Sequence, residues 1–271
     1  MPRTPHRFAL YTAAAQHAEA DLDFARRIYR RANGAEPRRL REDFCGTACL
    51  SCAWVKGGAA REAWGVDFDP LPLAWGDRHV RRALGVDAAR VHLVRGDVRR
   101  ARTPAADVLL ALNFSYCVFK EREALRGYLR RARAALAPKG LAVLDIFGGT
   151  GAITATREHG MFRNARGPDG SRLPAFRFTW EHAHYDAVTN HVLCHMHFEI
   201  PGVRKYRKAF TYDWRLWTIP ELRELMAEAG FRRSEVYTHG WTKGGLSNGV
   251  YRRATRFDNE IGWLAYVVGW R

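Results

Sequence analysis

Apolar positions first recur at mixed helical spacing. Residues 12–33 form an alanine-rich run with Leu22, Phe24, Ala25, Ile28 and Tyr29, which Asn33-Gly34 closes. Short apolar runs then alternate with amphipathic stretches. Strands are expected at 40–44, 63–68, 91–94, 107–113 and 141–147. Helices are expected at 48–56, 71–84 and 121–137, the last closed by Pro138-Lys139-Gly140. The run 107–113 is almost wholly apolar, as in a strand buried on both faces of a parallel sheet. The alternation predicts a doubly wound α/β sheet.

The period changes after Gly148-Gly149. Residues 176–186, 190–200 and 206–217 alternate like antiparallel strands, the first two joined near Val188-Thr189-Asn190. A helix follows at 219–229, with Pro220 in its first turn and Gly230 past its end. A strand near 231–238, a polar loop and an apolar strand at 263–270 complete the chain. We expect a single domain over 1–271, with an N-terminal helical segment at 1–34. Residues 148–217 are expected to form a β-rich lid and substrate wall over the mouth of the sheet.

Composition changes this picture little. No apolar run approaches the roughly 20 residues that span a bilayer, and residues 1–11 lack the apolar core of a secretory signal. The five cysteines, three of them crowded at Cys45, Cys49 and Cys52, do not form a disulfide framework and suit a reducing, cytoplasmic compartment. The net charge of +16 would suit a nucleic-acid partner. Its arginine pairs are scattered from Arg26-Arg27 to Arg252-Arg253, however, as on a solvated surface. The stretch Arg204-Lys205-Tyr206-Arg207-Lys208 could grip phosphates and bases. We read it instead as a solvated hairpin edge, where such charges guard against aggregation.

Candidate chemistry lies where strands end, since ligands bind at the carboxyl ends of an open α/β sheet. The first strand runs into Glu42-Asp43-Phe44-Cys45-Gly46-Thr47-Ala48 and then a helix. A small-residue turn lets the backbone approach a ligand, and a helix N-terminus attracts a carboxylate. Asp67 ends the second strand, where an acid can accept both hydroxyls of a ribose. Asp97 and Val98 follow the third strand, and Asn113 ends the fourth.

In this order the motifs resemble those of class I S-adenosylmethionine-dependent methyltransferases. An uncharacterised bacterial and plant subset of such methyltransferase-like proteins carries a similar D-F-C-G-T turn. Glu42 matches the acid of the first motif, Gly46 its central glycine and Thr47 a frequent neighbour. Phe44 and Ala48 replace its first and third glycines. The resemblance implies a seven-stranded Rossmann-like sheet and S-adenosyl-L-methionine as cofactor. It implies a cofactor site of Tyr11, Glu42, Cys45, Gly46, Thr47, Asp67, Phe68, Asp97, Val98 and Asn113. Asp67 would bind ribose, Phe68 would lie beside adenine, Asp97-Val98 would meet the adenine edge, and Tyr11 would close over the cofactor. Asn113-Phe114-Ser115-Tyr116 stands where amino methyltransferases carry N-P-P-Y, without the prolines. Asn113, Tyr116 and Glu181 are the catalytic candidates, with His182 and His184 as further bases.

A small-molecule acceptor, through nitrogen or oxygen, is the expected substrate. RNA methylation and cofactor binding without turnover stand as alternatives. Cys45, Cys49 and Cys52 also have the C-x3-C-x2-C spacing of radical S-adenosylmethionine enzymes. Cys49 and Cys52 fall within an apolar helix, however, where cysteine is an ordinary core residue. His182, His184, His195 and His197 could pair across a hairpin around zinc, but no third ligand class is placed, and no metal is expected.

Overall fold

A computed structural model describes residues 4–241 and 247–271. The chain opens with two helices, α1 (Arg7–Ala15) and α2 (Ala18–Asn33). The helix expected over 12–33 is therefore broken. His17 takes a non-helical conformation at the start of α2, and the two helices serve different layers. Parallel strands then alternate with helices: β1 (Arg39–Asp43), α3 (Cys49–Lys56), β2 (Glu62–Asp67), α4 (Pro70–Gly76), β3 (Val91–Arg95), β4 (Ala106–Ala111), α5 (Arg122–Ala135) and β5 (Leu136–Gly148). The helix expected at 71–84 stops at Gly76 and continues as π and 3-10 turns, which Gly85 kinks at φ 60°.

Four antiparallel strands follow, β6 (Thr156–Phe162), β7 (Phe176–Asp186), β8 (His191–Ile200) and β9 (Arg204–Arg215). The chain then returns through α6 (Ile219–Glu228), β10 (Arg233–Trp241), β11 (Ser247–Ala254) and β12 (Trp263–Trp270). The main sheet has the order β11-β10-β12-β5-β4-β1-β2-β3. Strands β1 to β5 pair in parallel, and β12, β10 and β11 add antiparallel. It carries one strand more than expected: β11, formed from the stretch read as polar loop, lengthens the edge.

Packing on both faces makes this a layered α/β molecule. One core joins β4 and β5 to α5 and α6 through Leu109, Leu129, Leu144 and Leu222. The opposite face packs α2 and α3 through Phe24, Ile28, Leu50 and Trp54. A third core lies between α1 and the second sheet, with Leu10, Phe176 and Phe198 buried. Phe114 and Phe147 from the main sheet meet Trp214 of β9, so the second sheet lies against the carboxyl ends of β4 and β5. No helix among the described residues is long and apolar enough to cross a membrane.

Candidate active site

The turn after β1 is shaped by three left-handed residues at alternate positions, Phe44, Gly46 and Ala48, with φ of 57°, 53° and 57°. Only one is glycine. A non-glycine residue in this region costs on the order of 1–2 kcal/mol. Contacts hold the other two: the Phe44 ring packs on Phe119 and Tyr128, and Ala48 is buried with Cys45 and Leu73. Gly46 N–H donates to the Asp67 carboxylate at 2.8 Å, and a Cβ on Gly46 would meet open space. The backbone is therefore approachable at this point.

Glu42 lies beneath the turn. One of its oxygens accepts from the Ser51 amide at 2.8 Å and the Ser51 hydroxyl at 2.6 Å. It thereby caps α3 from a neighbouring strand and leaves the earlier amides of that helix without an intrahelical acceptor. Burial first, then the Asp67 and Asp43 carboxylates, raise its pKa to about 7 against the Ser51 hydrogen bonds. Thr47 and Cys45 are buried; Thr47 Oγ1 touches Cys49 Sγ, and Cys45 lies against Gly65.

Asp67 accepts from Gly46 on one oxygen and from Asp69 N–H on the other. Burial raises its pKa. The next residue, Phe68, is 72% exposed. Gly96 N–H donates to the Asp67 carbonyl at 2.8 Å, which sets Asp97 beside the end of β2. The Arg99 guanidinium grips both Asp97 oxygens and holds its pKa below the usual range. Val98 is buried. Its carbonyl accepts from Arg41, whose guanidinium also donates to Asp43 at 2.7 Å and to the Ala101 carbonyl. Arg41 was not anticipated from sequence, yet it ties the loop after β3 to β1. A charge in the middle of a short strand was the available signal.

Tyr11 reaches into this assembly from α1. Tyr11 is half-buried, and desolvation, then the charges of Asp145, Cys49, Glu42 and Asp67, push its pKa well above the ordinary value. The structure therefore brings together Tyr11, Glu42, Gly46, Asp67 and the Asp97-Val98 loop.

A cavity of about 530 Å³ adjoins them. Its lining includes Tyr11, Asp21, Asn113, Asp145, Trp180 and Tyr212, with no lysine or arginine among the described residues. Asn113 and Phe114 both lie in the left-handed region, and both amides donate to Asp145, at 2.7 and 2.8 Å. Burial, helped by the charge of Asp21, raises Asp145 to about 8 against these hydrogen bonds. Burial also raises Asp21, whose carboxylate is hydrogen-bonded by Tyr266. Sequence reasoning missed both acids. Asp145 stands inside an apolar strand, and that lone charge was the signal. Asp21 looked like one more polar helix position.

Four expected residues lie elsewhere. Tyr116 is wholly enclosed in the core with β4 and α5, outside the cavity lining; an aromatic at the end of an apolar run packs inward. Glu181 is on the face of β7 opposite Trp180, because alternate residues of a strand point to opposite sides. It is bound there by Arg157 and by His197 at 2.8 Å. A β-bulge separates His182 from His184, so His182 is buried and His184 exposed. Among the described residues no three histidine, cysteine or acidic side chains converge to hold a metal ion. Cys49 and Cys52 are core residues of α3.

The architecture is the class I S-adenosylmethionine-dependent methyltransferase fold. Among particular proteins, it is similar to an amino pentose methyltransferase from Micromonospora echinaspora involved in calicheamicin biosynthesis. The identity is 15% and the TM-score 0.69, over 100% of this chain and 99% of that one. A sugar N-methyltransferase from Streptoalloteichus matches with 17% identity and TM-score 0.65, over 100% and 94%. A methyltransferase from Clostridium acetobutylicum matches with 14% and 0.67, over 97% of each chain. At these identities the likeness is one of fold. No protein-family model matches the sequence, and no curated protein matches it.

Proposed function

We propose that this protein transfers a methyl group from S-adenosylmethionine to a basic nitrogen of a small molecule. The observation that carries the reading is the cavity lining. Two acids, the half-buried Asp21 and the buried Asp145, sit among Trp180, Tyr212, Trp214, Tyr251 and Tyr266, with no lysine or arginine among the described lining residues. Carboxylates and aromatic faces together attract a cation such as an ammonium group. The cavity is sized for a small acceptor. The names of structurally similar proteins, an amino pentose methyltransferase and a sugar N-methyltransferase, agree with that chemistry.

The residues around the glycine turn suit the cofactor. Asp67 can accept ribose hydroxyls, and Phe68 can lie on adenine. Asp97 and Val98 offer a carboxylate and an amide to its edge. The start of α3, above Glu42, Cys45 and Thr47, suits the methionine carboxylate. Tyr11 and Asn113 stand between this region and the cavity. When bound, the cofactor supplies an electrophilic methyl group on sulfur. The protein's part is to align the acceptor and exclude water. An amine entering as ammonium must release a proton before its lone pair can attack. Asp145 is the base in this reading, because burial sets its pKa near that of the working range. His17, His239 and Tyr251 are the other titratable groups on the lining besides Tyr11, Tyr212, Tyr266 and Asp21.

Labelled cofactor offered with matched panels of amines and alcohols tests the reading. Amines should be methylated, and preferential turnover of hydroxyl acceptors would overturn it. Asp145→Asn should lower kcat by about 100-fold or more while leaving cofactor affinity within about threefold. The acid limb of the wild-type pH–rate profile should vanish with it. Asp67→Ala should weaken cofactor binding by about 2–3 kcal/mol in calorimetry; unchanged affinity would remove Asp67 from the site.

A further inference from the structure

A second and larger cavity, of about 1190 Å³, opens between the start of α1, the turns after α4 and the far end of the second sheet. Tyr206 lines it and Tyr212 lines the first, six residues apart on β9. At about 3.3 Å per residue the two cavities are therefore roughly 20 Å apart on one sheet.

Arg7, Arg78, Arg163, Arg172 and Arg204 all line this second cavity. None of the five makes an ion pair among the described residues, whereas Arg81, Arg82 and Arg177 nearby in sequence do. Among the described residues the lining holds one carboxylate, Asp169, which accepts from the Ser171 hydroxyl at 2.6 Å and the Ser171 amide at 3.0 Å. The N-terminus of α1 opens here too, with no acidic residue in its first turn. Positive charge is thus concentrated in a concave site, five arginines against the single carboxylate of Asp169 among the described residues. We propose that this cavity binds a phosphate-bearing small molecule through these arginines.

Several guanidinium groups around one hollow suit the oxygens of a phosphate or diphosphate, which arginine can grip in pairs. Apolar lining from Trp75, Pro168, Leu173 and Tyr206 leaves room for an organic body beside the anion. Charge crowding shows in His6, whose pKa is lowered by burial first and then by Arg7 and His79. The concavity favours a small anion over RNA. Along 204–208, Arg204 and Tyr206 line the cavity, while Lys205 is paired with Glu199 at 2.8 Å. The basic stretch therefore does not present one continuous face.

This inference does not depend on methyl transfer and is tested by binding alone. Calorimetry on the full chain would use inorganic pyrophosphate, with sodium chloride at matched ionic strength as the control. The wild-type protein should bind pyrophosphate, and the double variant Arg78→Gln/Arg172→Gln should bind it at least tenfold more weakly. Both side chains are exposed and without an ion pair among the described residues, so the thermal midpoint should not move. If it does, Arg163→Gln alone serves the same comparison. Absence of pyrophosphate binding by the wild type, or equal binding by the variants, overturns the proposal. So does steeply salt-dependent binding of transfer RNA without any binding of pyrophosphate.

Discussion

Glu42 shows how one buried carboxyl can both build the turn and tax the fold. Both of its hydrogen bonds go through a single oxygen to Ser51, so the carbonyl of a glutamine can accept them equally. Its folded pKa of about 7 lies above the ordinary value of 4.5. The folded state therefore holds this proton more tightly than the unfolded chain, and stability falls as pH rises from about 4.5 to about 7. Glu42→Gln should stabilise the unliganded protein by on the order of 2–3 kcal/mol at pH 8, with the gain vanishing near pH 4. Denaturant titrations at the two pH values check this; a gain equal at both would refute the assignment. The strand-end acids and Gly46 were legible because each follows an apolar run at a point where a sheet must turn. The conformations of Phe44 and Ala48 were not. Their left-handed backbone is imposed by Phe119, Tyr128 and Leu73, which are distant in sequence.

Helix α4 meets the glycine turn directly. A Cβ on Gly76 would stand 2.2 Å from the Thr47 carbonyl oxygen, a backbone atom that cannot step aside. Gly76→Ala should cost about 1–3 kcal/mol by overpacking and should disturb the turn as well. Calorimetry should show weaker cofactor binding in this variant, whereas a control such as Gly127→Ala, where a Cβ meets nothing within 4 Å, should keep wild-type affinity. The helices and central strands were legible from periodicity, since each buries one face or two. Strands β6 and β11 were not. Both are edge strands, and T-R-E-H-G-M-F offers no apolar face to read. The bulge at 182–184 also escaped notice, because one inserted residue reverses the alternation on which face assignments rest. The expectation that His182 and His184 share a face failed for this reason, and Asp145 was hidden inside an apolar strand.

Across the whole molecule, all five cysteines are buried and unpaired. Burial is the first cause of every shift: Cys49 is pushed up to about 11, Cys194 to about 12, and Cys45, Cys52 and Cys117 are raised as well. Thiolate, not thiol, reacts with disulfide reagents. The native protein should therefore show no rapid thiol titration at pH 8, and all five groups should react once it is unfolded in guanidinium. Rapid labelling of the native protein would contradict the burial. Part of the net charge of +16 is gathered at the second cavity, where five arginines make no ion pair among the described residues, a concentration that composition alone conceals. Helix α1 has a different reach. Tyr206 hydroxyl donates to the Pro5 carbonyl, and Arg7 donates to the Ala209 carbonyl. These bonds join the helix that carries Tyr11 to β9, so cap and second sheet are hinged as one jaw. On the proposed function, spent cofactor and methylated product are held behind the same jaw. Their residence times should then be set by one opening motion. A pre-steady-state burst, followed by release of both products with a single shared rate constant, is the kinetic signature of that linkage.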